Sequence, residues 1–165
     1  MNFRLLTLAA ASAFCLNANA TVTDWGVHDP LEIGVAVTPT GVFDDSYLFM
    51  LVGDFNVFST AVSNNLTDVL GIVGGSVTLY REMGAVDTMI GSFGYSAFTG
   101  NISYDFGALA GGDYYYSVAG IGTGTAGGFY TISSTITPVP EPHTYALMLG
   151  GLGALGFVAR RRRTV

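Results

Sequence analysis

Tyr114-Tyr115-Tyr116-Ser117-Val118-Ala119-Gly120 and Phe129-Tyr130-Thr131-Ile132-Ser133-Ser134-Thr135-Ile136-Thr137 decide how this chain folds. In the first stretch Tyr114, Tyr116 and Val118 share one side, and Tyr115, Ser117 and Ala119 share the other. In the second, Tyr130, Ile132, Ser134 and Ile136 alternate with Phe129, Thr131, Ser133 and Thr135. A period of two sends one set toward a core and the other away from it, which is the pattern of a half-buried strand. Further strands are expected at 32–38, 47–52, 55–62, 75–82 and 91–98, where β-branched and aromatic residues are bounded by glycine-rich turns. Nothing between residues 21 and 137 sustains the i, i+3, i+4, i+7 spacing of an amphipathic helix. Short strands with frequent glycine turns predict an all-β domain over 21–137, an antiparallel β-sandwich of jelly-roll-like form. Asn64 to Leu70 reads as a loop or a single helical turn, and Gly120 to Gly128 as a long hairpin connection.

The two ends read differently. Residues 1–20 have the form of a signal peptide: Arg4 supplies the positive start, and a short apolar run follows from Leu5 to Leu16. Ala18-Asn19-Ala20 then offers small residues to a signal peptidase, which places cleavage after Ala20. The run is too short to span a bilayer comfortably, which sets a leader apart from an anchor. At the other end Val139-Pro140-Glu141-Pro142 precedes a mostly apolar stretch, 144–159, and then Arg160, Arg161, Arg162 and Arg163. Prolines on both sides of Glu141 keep the backbone extended, a form a processing enzyme can grip. Sixteen helical residues rise about 24 Å, and arginines that snorkel to the interface extend that reach, so 144–159 is expected to be a transmembrane helix. The arginine cluster sets the C-terminus on the cytoplasmic side and residues 21–137 outside.

The order Val-Pro-Glu-Pro, apolar helix, arginine cluster resembles the PEP-CTERM sorting signal of Gram-negative bacteria. The resemblance covers 138–165 and implies that an exosortase recognises Pro140, Glu141 and Pro142 and processes the chain. Two patterns further upstream extend it. Phe43-Asp44-Asp45-Ser46-Tyr47 is similar to the Phe-x-Asp-x-Phe element of the FxDxF family of PEP-CTERM proteins, with Phe43, Asp45 and Tyr47 in the motif positions and tyrosine in the last place. Leu109-Ala110-Gly111-Gly112-Asp113-Tyr114 resembles a turn-into-strand of that family and of bacterial pre-peptidase-type β-sandwich domains.

Charge narrows the function classes. The chain has no lysine, and eleven acids face the single Arg81 between residues 21 and 139, leaving that part near −10. Such a field repels nucleic acid and anionic lipid. Cys15 is the only cysteine and lies in the leader, so residues 21–165 hold no disulfide, thiol nucleophile or thiolate metal ligand. A Ser-His-Asp triad would have to use His28 with a serine that no nucleophile-elbow pattern marks. No cofactor is expected. Calcium needs only oxygen donors, and Asp44, Asp45 and Asp54, with Asp105 and Asp113, are its candidates; turn capping by aspartate is the competing reading. Asp44 beside Asp45 reads as a solvated loop ahead of a strand. Tyr115 is a candidate sugar-stacking ring.

These features predict an exported surface or matrix protein, not an enzyme, with a structural or interaction role in an exopolysaccharide or biofilm matrix. Its partners are signal peptidase, an exosortase, the inner membrane as a transient anchor, and exopolysaccharide. The alternatives are a carbohydrate- or calcium-binding module and, third, a hydrolase that uses carboxylates.

Overall fold

The computed structural model describes residues 19–99, 103–140 and 142–162; within the C-terminal helix the side chains of 142, 143, 157–159, 161 and 162 are left aside. Nine strands follow in order: β1 Val22–Val27, β2 Leu31–Thr38, β3 Gly41–Leu51, β4 Phe55–Ser63, β5 Ile72–Arg81, β6 Thr88–Tyr95, β7 Tyr104–Leu109, β8 Gly112–Gly122 and β9 Gly128–Pro138. A helix, α1 Pro142–Arg162, ends the described chain. The strands form two sheets, β1-β3-β8-β5-β6 and β2-β9-β4-β7, packed face to face as a sandwich. All pairings are antiparallel except β1 with β3, which is parallel.

The alternation read from β8 and β9 is the one that builds the core. Tyr114, Tyr116, Val118, Tyr130 and Ile132 are buried, whereas Tyr115, Ser117, Thr131 and Ser133 remain partly open. Aromatic rings knit the sheets together. Phe43 on β3 stacks across the interface on Tyr130 of β9, with centroids 5.6 Å apart, and within one sheet Phe49 stacks on Tyr116 of the neighbouring strand β8 at 5.2 Å. Such pairs add to the burial of apolar area, which is the main stabilising effect in a domain without disulfides. Glycine makes room for the rings. A Cβ on Gly34 would stand 2.4 Å from the Tyr47 ring, so β2 can cross that ring only without a side chain there.

Several expected boundaries shift, each for a local reason. β3 begins at Gly41, six residues before the expected start, so Asp44 and Asp45 lie inside a strand and not in a solvated loop before one. β1 and β7 lie outside the expected strands. β1 contributes a single partly buried aromatic, Trp25, and pairs in parallel with a strand reached only after β2 has crossed to the other sheet. β7 contains a bulge opposite Val57 and Phe58, with Gly107 at φ 77°, and the extra residue breaks the period-two signal. Residues 123–127 are not a hairpin connection, because β8 and β9 belong to different sheets. They pack against the 64–71 loop, where Thr125 N–H donates to the Asp68 carbonyl at 2.9 Å and Gly71 N–H to the Gly127 carbonyl at 3.0 Å. The 64–71 segment is a turn and not a helix.

Candidate functional site

Phe43, Asp45 and Tyr47 alternate along β3 and all point into the sandwich. For the two rings this is ordinary core packing. For the carboxylate it is not, because a charged group taken from water needs partners at both oxygens. Asp45 is only 5% exposed. Its Oδ1 accepts the main-chain N–H of Thr21 at 2.8 Å, and its Oδ2 accepts the Tyr130 hydroxyl at 2.7 Å. Tyr130 also meets the Tyr47 hydroxyl at 3.0 Å. Asp45 therefore ties the first residues before β1, its own strand and β9 of the opposite sheet to one point. Burial, then the neighbouring Tyr47 and Asp45, push the Tyr130 phenol well above the ordinary tyrosine range.

A second buried network lies at the other end of β1. His28 Nε2 is 2.8 Å from Ser134 Oγ, which is 2.8 Å from the Tyr116 hydroxyl. Nδ1 contacts the Asp29 carbonyl. With Nδ1 donating to that carbonyl, the neutral ring accepts from Ser134 and Ser134 accepts from Tyr116, so every group has a partner. Burial lowers the His28 pKa, outweighing the Asp29 carbonyl bond and the Glu32 and Asp29 charges that raise it. This is the serine that a triad would need. Ser134 is fully buried, however, so no substrate carbonyl can approach Oγ, and the pair serves packing.

Asp44, Asp45 and Asp54 do not converge. Asp44 points away from the core and accepts the Ser117 hydroxyl at 2.7 Å, opposite in sense to Asp45, and Asp54 sits in the turn between β3 and β4. Asp105 accepts the Gly107 N–H at 2.7 Å within the β7 bulge, and Asp113 lies on the rim of a groove of about 370 Å³ with Asp24 and Glu82. Among the described residues no three His, Cys, Asp or Glu side chains are grouped to hold a metal. Tyr115 lies on the outer face, stacked on Tyr80 at 5.1 Å, with its hydroxyl 3.0 Å from Asp87 Oδ2. Its phenol is pushed up to about 12, by desolvation first and then by the Asp87 bond.

The chain leaves the sandwich in register. Pro138 pairs with Phe55 at the end of the β4–β9 ladder, and Val139 N–H donates to the Asp54 carbonyl at 3.1 Å. Pro140 is exposed, beside a notch of about 450 Å³ formed by Val52 to Phe55 and Pro138 to Pro140. Pro142 then opens α1, a position where its missing N–H leaves no helix bond unmade. Every described side chain of α1 is exposed, including Leu147, Met148, Leu149, Leu152 and Leu155.

A family model for the PEP-CTERM protein-sorting motif matches residues 138–163. The chain carries a PEP-CTERM sorting motif. The PEP-CTERM match starts on the last residue of β9 and takes in all of α1, so the motif lies almost wholly outside the sandwich. No curated protein matches the chain. Among solved structures it is similar to the pre-peptidase C-terminal domain of a collagenase from Bacillus anthracis, at 16% identity over 73% of this chain and 99% of that one, with a TM-score of 0.46. It is also similar to PliG, a periplasmic inhibitor of g-type lysozyme from Aeromonas hydrophila, at 14% identity over 72% and 99%, with a TM-score of 0.38.

Within the motif, Pro140 and Arg160 are described, whereas Glu141 and Arg163 lie outside the described residues, as do the side chains of Pro142, Arg161 and Arg162. Of the expected leader, residues 1–20, only Asn19 and Ala20 are described, both exposed; Ala18 is outside. Among the described residues no helix is long and apolar enough to cross a membrane. The helix exists and is longer than 144–159, but a membrane span there is not shown: Gly150, Gly151, Gly153 and Gly156 dilute its apolar content, and arginines occupy its end. What the sequence reading missed is the burial of Asp45. The signal was present, since an acid between Phe43 and Tyr47 at period two belongs to the same face as the rings.

Proposed function

We propose that this is an exported, non-catalytic surface protein that an exosortase processes at Pro140-Glu141-Pro142, and whose β-sandwich has a structural or interaction role in an extracellular polysaccharide matrix. The observation that carries the reading is the placement of the sorting motif, which begins where the last ladder pair of the sandwich ends. A processing enzyme can therefore grip the extended segment without unfolding the domain it delivers.

The helix that follows supports a transient stay at the inner membrane. Its described apolar side chains lie all round the axis and are exposed, so they call for lipid or for another protein as solvent. Its apolar stretch, 144–159, rises only about 24 Å, and the arginines that follow would extend that reach by snorkelling to the interface; glycine is tolerated in such helices. Signal peptidase removes the leader after Ala20, and the arginine cluster stays on the cytoplasmic side.

Replacing Glu141 by Ala, or deleting Arg160 to Arg163, is expected to leave the protein uncut and held in the membrane fraction. Normal processing of both variants, read by mass and by fractionation of the producing cell, would refute the sorting role.

A carbohydrate-binding reading has one observation in its favour, the parallel Tyr80–Tyr115 pair on an open sheet face. Tyr115→Ala would then abolish retention on a polysaccharide column, while a sandwich that serves only as scaffold would show no retention to lose.

A further inference from the structure

We propose that Asp45 is the binding site for the α-ammonium group of Thr21, which comes into being when the leader is cut off after Ala20. The proposal rests on that cleavage position. In the uncut chain the Thr21 nitrogen is an amide and gives one hydrogen bond to Asp45 Oδ1, at 2.8 Å. Hydrolysis adds water across the Ala20–Thr21 bond: Ala20 leaves with the carboxylate, and Thr21 keeps the nitrogen as an amine, which takes up a proton. The same atom then carries a positive charge and three hydrogens, already within bonding distance of a buried acid.

Three features suit that change. Asp45 has no cationic partner among the described side chains, although Arg81 is the one basic residue between 21 and 139; Arg81 instead contacts the Gly111 carbonyl and the Tyr114 ring. The carboxylate is also pre-aligned, because Tyr130 holds Oδ2 at 2.7 Å and leaves Oδ1 toward Thr21. Thr21 itself is exposed, so the new ammonium keeps part of its hydration while it neutralises Asp45.

Cutting also has a cost. Asn19 pairs with β3 through a bond from its N–H to the Val42 carbonyl at 3.3 Å and one from the Asp44 N–H to its carbonyl at 3.0 Å, and both are lost. Val42 and Asp44 are exposed, so water replaces these bonds at little expense. The bond from Ser46 N–H to the Thr21 carbonyl, at 2.7 Å, survives and keeps β1 in register. The exchange therefore gives up two solvated edge bonds for one ion pair on a buried acid, and it makes the processed form the better-held one.

The ion pair has a pH signature. An α-amino group titrates near 8 in an unfolded chain, and a carboxylate partner raises that value in the folded one. The stabilisation is thus complete below about pH 8 and disappears as pH rises through the raised value. The other titratable groups that face Asp45 are the phenols of Tyr47 and Tyr130 and, through its charge, Tyr95, all pushed upward, so they do not titrate in that window.

The test compares the chain beginning at Thr21 with the chain beginning at Ala20, both running to Val165 in the same mild detergent. One added residue moves the amino group away and restores the amide. The Thr21 form is expected to melt roughly 3–8 °C higher at pH 7, and the gap should close on going to about pH 10 or on acetylating the α-amino group. Equal melting temperatures at pH 7, or a gap that persists unchanged at high pH and after acetylation, would overturn the proposal. Asp45→Asn should remove the gap as well; if that variant does not fold, the first comparison decides alone. N-terminal sequencing of the exported protein tests the cleavage position separately. A first residue other than Thr21 would refute that position and deprive the site of its ligand in the cell, whereas the melting comparison reads the ion pair itself.

Discussion

Tyr130 on one sheet donates its hydroxyl to Oδ2 of Asp45 on the other, at 2.7 Å and out of reach of water. This bond decides what the β3 motif does. Phe43 and Tyr47 supply ring packing, and the acid between them supplies a fixed polar point that holds β9 and the start of β1 in one register. A motif that reads as an exposed acidic loop is thus the hub of the sandwich interior.

Removing the Tyr130 hydroxyl should expose how much that hub contributes. Tyr130→Phe keeps the ring but takes away one of the two donors to a buried carboxylate, at an expected cost of about 1–3 kcal/mol in urea unfolding. Tyr115→Phe, whose hydroxyl meets Asp87 at the exposed surface, is the control and should cost less than about 0.5 kcal/mol. Equal costs would show that Asp45 recruits water in place of Tyr130.

His28 should make stability pH-dependent on the acid side. Burial holds its folded pKa below the ordinary value of 6.5, so between those two values the unfolded chain binds a proton that the folded chain does not. Stability is then full above 6.5 and falls as pH drops through the window, with a slope of at most about 1.4 kcal/mol per pH unit from this one group. His28→Gln, which does not titrate, should flatten the profile measured from about pH 7.5 to 5. A slope unchanged in that variant would assign the effect to other groups.

Gly127 should not tolerate a side chain. It has φ 89°, and a Cβ would meet the Thr38 carbonyl oxygen, a main-chain atom, at 1.9 Å. Gly127→Ala is expected to lose roughly 2–4 kcal/mol by combining backbone strain with a clash that nothing flexible can relieve. Gly41→Ala has positive φ but open space around it, and its loss should stay nearer 1 kcal/mol. Calorimetric melting of the two variants ranks them directly, and a smaller loss at Gly127 would mean that the 123–127 loop moves off β2.

Much of this protein could be read from the order of its residues. The alternation in β8 and β9 and the glycine spacing specify short strands with one buried face, the parts of an all-β domain, because strand periodicity is local and survives any arrangement of the sheets. The Pro-Glu-Pro segment, the apolar run and the arginines are likewise legible, since a sorting motif is recognised as an extended piece of chain. Tertiary structure alone decided the rest. It placed β1 parallel to β3 and sent β8 and β9 to different sheets, outcomes set by long-range pairing that no local period encodes. It also turned Asp45 inward. Whether an acid on a strand faces water or a core depends on which face the opposing sheet covers, and in this chain Tyr130, eighty-five positions away, closes that face.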